Sequence, residues 1–160
     1  MGPQFGLEEG AVPTCPVCTR QWGSGVACAS CGQVDGLPLG IRLSSPARRI
    51  AEPVVELLFL VVTLYVGWLI WELVVFARGQ TPAKQLLGMR VVSLETSRAA
   101  GWGTMLLREL VGKPIVLAVA PFTLGIVLFW FCWDPGRQAL WDKMVETIVV
   151  DDHYGQLGRG

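Results

Sequence analysis

Cys15-Pro-Val-Cys18 and Cys28-Ala-Ser-Cys31 are two C-x-x-C knuckles with nine residues between them. Four thiolates spaced in this way match a tetrahedral structural Zn²⁺ site, and a residue permitting a tight turn follows the knuckles, as Gly32 follows Cys31. Redox pairs and disulfides are the alternatives. Both fit less well, because the region has no thioredoxin-like βαβ context and the first twelve residues, MGPQFGLEEGAV, contain no Lys, Arg or apolar run of a secretory signal. A ribbon this small cannot fold on apolar burial, so metal binding would supply its folding energy. With cysteine in all four positions the zinc would be structural, leaving no open position for catalysis.

A second set of residues carries charge into apolar surroundings. Arg49 and Glu56 are about two helical turns apart, with Glu52 between them, at the start of the stretch IAEPVVELLFLVVTLYVGWLIWELVVFA. Ionisable groups at membrane depth are costly and are either paired or functional. Glu56 with Arg49 and Asp142 could form a site for a cation or proton. The other reading is a structural ion pair that fixes helix packing and transports nothing.

The chain as a whole points to a membrane protein. Of 160 residues, 52% are hydrophobic and 16% charged, and thirteen basic residues balance thirteen acidic ones, so no nucleic-acid partner is expected. Residues 50–77 and 114–133 are apolar enough to enter a bilayer. The first is too long for one upright span and too short for two. It breaks at TLYVG, where Gly67 offers a turn, and the second breaks at PFTLG. Aligned from Thr63 and Thr123, the two segments form a weak repeat, each leading to a polar piece that ends in paired valines, GQTPAKQLLGMRVV and RQALWDKMVETIVV. Lys and Arg flank every apolar piece, which favours hairpins entering and leaving by one face over two long spans.

The expected architecture is an all-α membrane protein of short transmembrane hairpins plus an interfacial segment. Residues 1–40 form a cytosolic zinc ribbon, 41–47 a linker, 48–150 the membrane domain and 151–160 a polar tail. In GQTPAKQLLGMRVV the Gly and Pro end a helix, Lys84 reaches toward lipid headgroups, and LLGMRVVSL suits a short interfacial strand. Thr104 is a candidate N-cap of the next helix, beside which Arg108 and Lys113 would meet anionic headgroups. Glu72 is expected to snorkel to the surface, Cys132 to fill a small core space, and His153 to be solvated. No Ser-His-Asp set, Walker loop or dinucleotide loop is present, so no enzyme activity is expected.

RRIAEPVVELLF, RGQTPAKQLLGMRVV and RQALWDKMVETIVV, in that order, resemble the RDD family of small integral membrane proteins over about 48–150. The family's motif arginine falls on Arg49, its first acid on Glu56, its loop on Gly79, Thr81, Pro82 and Lys84, and its last motif on Arg137, Leu140 and Asp142. Glu56 replaces an aspartate, Ala83 a glycine and Glu146 a glycine. The resemblance implies a multi-pass protein of the bacterial cell membrane, and hairpins that keep every Lys and Arg flank in the cytosol put both termini there. Some of the family's proteins are associated with cation/proton exchange. The readings that follow are a membrane interaction or assembly module whose ribbon docks a protein partner, and a small antiporter using Glu56, Arg49 and Asp142. A homo-oligomer is compatible with either.

Overall fold

The computed structural model describes residues 13–23 and 25–157. The first twelve residues, read above as lacking a signal, and the end of the polar tail lie outside the described residues.

The chain is a mixture of helix and sheet, which corrects the all-α expectation. Helix α1 (Pro46–Val62) starts with Ser45 accepting from the Arg48 amide, and α2 (Val66–Phe76) runs back from it. The reversal is made by Leu64 and Tyr65, both at positive φ, while Gly67 lies inside α2 against Thr63. Then come α3 (Pro82–Leu86), strand β2 (Met89–Ser93), a short β3 (Arg98–Ala99), and α4 (Trp102–Leu107), capped by Gly101 rather than Thr104. A π-turn (Arg108–Gly112) joins α4 to α5 (Lys113–Val119), and two 3₁₀ pieces, Ala120–Thr123 and Ile126–Cys132, reverse the chain at Leu124 and Gly125. Finally α6 (Leu140–Met144) leads to β4 (Thr147–Asp151), and β1 (Arg42–Leu43), from the stretch read as a linker, pairs with it. The sheet order is β1-β4-β2-β3, antiparallel throughout.

Alternation along β2 and β4 makes this sheet the middle layer of three. Val92, Ile148 and Val150 face Val34 and Leu37 of the ribbon and Ile41 just after it, whereas Met89, Val91 and Val149 face Phe76 of α2 and Met105 of α4. Met89, Val91 and Val150 are completely buried, so the run expected at the membrane interface is in fact the sheet core. The ribbon therefore shares a core with the sheet.

The weak repeat is real in three dimensions. Gly79 matches Arg137, both with positive φ; Thr81 matches Ala139, both helix N-caps; Gly88 matches Glu146, again both with positive φ. Gln80 donates to the Met89 carbonyl and Gln138 to the Thr147 carbonyl, each at 2.9 Å. The Leu94 amide bonds the Glu146 carbonyl at 2.9 Å, and the Asp152 amide bonds the Gly88 carbonyl at 2.8 Å. Val91 and Val149, equivalent in the repeat, are paired directly opposite one another. Residues opposite each other on antiparallel strands project from the same face, so the pseudo-twofold axis that exchanges them stands perpendicular to the sheet. Such an axis keeps each helical hairpin on the same side of the sheet as its counterpart.

Candidate metal centre and buried charge layer

Each knuckle is closed by a tight backbone turn. The Thr19 amide bonds the Cys15 carbonyl at 2.9 Å and the Gly32 amide bonds the Cys28 carbonyl at 2.8 Å, with Thr19 and Gly32 both at positive φ. The turns bring the four sulfurs of Cys15, Cys18, Cys28 and Cys31 within 4.8 Å of one another, with Cys15–Cys31 and Cys18–Cys28 at 3.5 Å. A tetrahedron with metal–sulfur bonds of about 2.3 Å has edges of about 3.8 Å, so the set fits a four-coordinate ion. The Cys31 amide, aided by that of Ser30, holds the Cys28 thiol down to about 6, whereas, against the Gln33 amide, burial and the three neighbouring cysteines push the Cys31 thiol up to about 12.

On the opposite side of the sheet lies a layer of buried charge. Lys84 and Asp142, third residues of α3 and α6 and equivalent in the repeat, are both fully buried. Helix α1 supplies a partner to each: Glu52 accepts from Lys84, and Arg49 donates to Asp142 and to the Arg137 carbonyl. Arg108 Nε donates to the other Asp142 oxygen at 2.6 Å, and Glu109 pairs with both Arg108 and Lys113. Lys113 is also 3.7 Å from Glu52, and Lys84 is 3.8 Å from Glu109. Asp142 additionally accepts from the Ala139 amide at 3.0 Å. Against the desolvation of complete burial, Arg108 and Arg49 hold the Asp142 carboxyl below the usual carboxylate range. Burial pushes Lys84 down despite Glu52 beside it.

This layer revises several expectations. Lys84 and Arg108 are buried in ion pairs instead of reaching headgroups, and Lys113 is mostly covered. Glu72 is buried as well, and Cys132 is exposed. Arg49 and Asp142 are brought together, but Glu56 is not part of their pair. Its carboxylate accepts from Trp68 Nε1 at 2.6 Å, Thr81 Oγ1 at 3.1 Å and the Ala83 amide at 3.2 Å, tying α1 to α2 and to the start of α3. Glu52, Arg108 and Glu109 were the residues missed as pairing partners. Their signal in the sequence was an ionisable group on the apolar side of its helix. His153 is exposed and lies 2.6 Å from Arg48 Nη1.

Gly79 and Ala83 explain the loop motif. Gly79 has a φ of +65°, and a Cβ there would come within 2.7 Å of the Val91 carbonyl oxygen and 2.9 Å of the Ala100 nitrogen. Ala83, in contrast, is helical and fully buried, so the glycine it replaces was not needed for backbone freedom. Arg137 Nη1 donates to the Leu43 and Ser44 carbonyls at 3.4 and 3.3 Å, linking α6 to the entry of α1.

A family model described as RDD family matches residues 40–146. The chain belongs to the RDD family. The match covers the hairpins, α3, α6, the charge layer and strands β1, β2 and β3, and ends just before β4, while the four-cysteine ribbon precedes it. Comparison with curated proteins gives no match, and comparison with solved structures gives none either. RDD proteins are generally membrane-associated. Among the described residues of this RDD protein no single helix is long and apolar enough to cross a membrane. One bent pair, Trp102–Thr123 with Ile126–Cys132, turned through 111°, passes on length and composition as a broken or re-entrant span.

Proposed function

We propose that this RDD protein is an interaction or assembly module of the cell membrane, in which a structural Zn²⁺ holds the ribbon as a docking surface on the cytosolic face. The observation that carries the reading is the shared core. Val34 and Leu37 of the ribbon, with Ile41 just after it, pack on Val92, Ile148 and Val150 of the sheet, so the ribbon is held in a fixed orientation relative to the hairpins. A rigidly mounted module presents its outer residues to a partner without the ordering cost of a tethered one. Its protein partner, a homo-oligomeric state and the cytoplasmic termini belong to this proposal, as does the absence of enzyme activity.

The test is copurification from detergent-solubilised membranes, comparing wild type with Val17→Asp/Arg20→Glu, changes at exposed ribbon positions. The expected result is loss of bound protein with one zinc per chain retained. Unchanged partners in the variant would contradict the docking role.

A second reading, a small cation/proton antiporter, is favoured by one observation: Glu56, Arg49 and Glu52 line a cleft of about 580 Å³ between α1 and residues 113–131. Against it, the Glu56 carboxylate already accepts three hydrogen bonds and Asp142 is saturated by two guanidinium groups. Internal pH in proteoliposomes under a Na⁺ or K⁺ gradient separates the two. The docking reading expects no exchange, and exchange abolished by Glu56→Gln would establish the transporter.

A further inference from the structure

The hairpins rise from one plane and stop short. In α1 the last charged residue before the turn is Glu56, and in the helix Trp102–Thr123 it is Lys113. Both are tied to the polar layer, Glu56 through Thr81 and Ala83 and Lys113 through Glu109 and Glu52. Beyond those anchors each arm has about ten residues or fewer before the chain reverses, a reach of about 10–15 Å at 1.5 Å per residue. A hydrocarbon core is roughly 30 Å thick.

Three observations place both reaches on the same side. The pseudo-twofold axis through Val91 and Val149 is perpendicular to the sheet and so preserves sides. The ribbon occupies the other face of the sheet. Leu57 and Leu60 of α1 line one cleft together with Leu117 and Leu128, so the two hairpins stand next to each other above the charge layer.

The ends of the hairpins are also their most exposed apolar points: Leu64 is 83% exposed, Phe122 88% and Leu124 92%. Along the arms, Val61, Val62, Ile70, Leu117 and Phe129 are exposed as well. An apolar surface of this extent, on one side of a sheet and bounded below by a layer of ion pairs, has the shape of a leaflet-deep insertion.

We infer that the described chain sits in a single leaflet of the bilayer: both hairpins enter from the ribbon's side, their turns at Leu64–Tyr65 and Phe122–Gly125 end near the bilayer midplane, and neither crosses. The partner of this surface is the acyl-chain region of one leaflet. The inference rests on the membrane reading of the RDD fold and specifies its topology. It also assigns the repeat a physical role, since two equivalent hairpins related by an axis normal to the membrane are driven to the same depth.

The test uses full-length, zinc-loaded protein carrying Cys132→Ser, with Leu64→Cys or Leu124→Cys labelled with the fluorophore NBD, reconstituted in one orientation into phosphatidylcholine/phosphatidylglycerol vesicles. Both positions are exposed, so the label leaves the packing intact. A ribbon label at Leu39→Cys, 64% exposed, reports the entry face. Phospholipids spin-labelled at the chain ends should quench both hairpin labels several-fold more than phospholipids spin-labelled at the headgroup. Dithionite, which does not cross the bilayer, should leave both hairpin labels intact from either side. Bleaching of position 64 or 124 from the face opposite Leu39→Cys would overturn the inference by showing a crossing, with the membrane reading intact. Bleaching from the same face as Leu39→Cys would overturn both.

Discussion

Residues 79–93 and 137–151 build the same object twice, yet they bury opposite charges. Each has a positive-φ residue, a short capped helix, a second positive-φ residue and a five-residue strand, and the two strands pair about Val91 and Val149. At the matching position one carries Lys84 and the other Asp142, and α1 answers with Glu52 and Arg49. The difference teaches what the charges are for. Buried groups of opposite sign let a single helix distinguish two otherwise similar units and place each on its own side.

The largest effect expected from breaking this comparison is at Asp142. Asp142→Ala leaves Arg49 and Arg108 buried without their anion, which costs about 3–5 kcal/mol, measured by thermal or denaturant unfolding in detergent. Lys84→Met should cost less, because Glu52 keeps Lys113 at 3.7 Å. The same asymmetry appears with pH. A carboxyl held below its ordinary range contributes stability that is full above that range and is lost as pH falls through and below it, so melting temperature should drop between about pH 5 and pH 3 and Asp142→Asn should flatten that drop.

The next effect concerns the backbone. Gly79→Ala should destabilise by at least about 2 kcal/mol in denaturant unfolding, through a left-handed φ and contact with Val91 and Ala100. Glu146, at a φ of +50° where Gly88 stands in the other unit, predicts that Glu146→Gly stabilises by about 1 kcal/mol. The remaining asymmetry is the four-cysteine cluster, which lies on the ribbon side of the sheet. A strong chelator is expected to lower the melting temperature of the whole chain through Ile41 and Leu43, and not merely release a terminal segment.

Much of this was legible in residue types. The two C-x-x-C knuckles point to the four sulfurs that converge, because cysteine spacing limits which sulfurs can meet. The paired valines marked the repeat, and Arg49 with Asp142 were recoverable from family motifs. The sheet was not, since MRVVS and TIVVD are only five residues each and their partners lie far away in sequence. Arg108 and Lys113 read as lipid contacts because amphipathicity shows which face of a helix is polar but not what covers it. Glu52 and Glu56 lie about one turn apart on α1, and only the position of α3 decides that Glu52 takes Lys84 while Glu56 takes the α3 amide.

Helix α1 holds the two units by matched charge, and a double-mutant cycle of Lys84→Met and Glu52→Leu, read as unfolding free energy, tests this most directly. Lys84→Met alone should cost about 3 kcal/mol, and adding Glu52→Leu should recover most of the loss, a strong coupling between the two sites. Additive losses, with the double variant as unstable as the sum of the single ones, would contradict it.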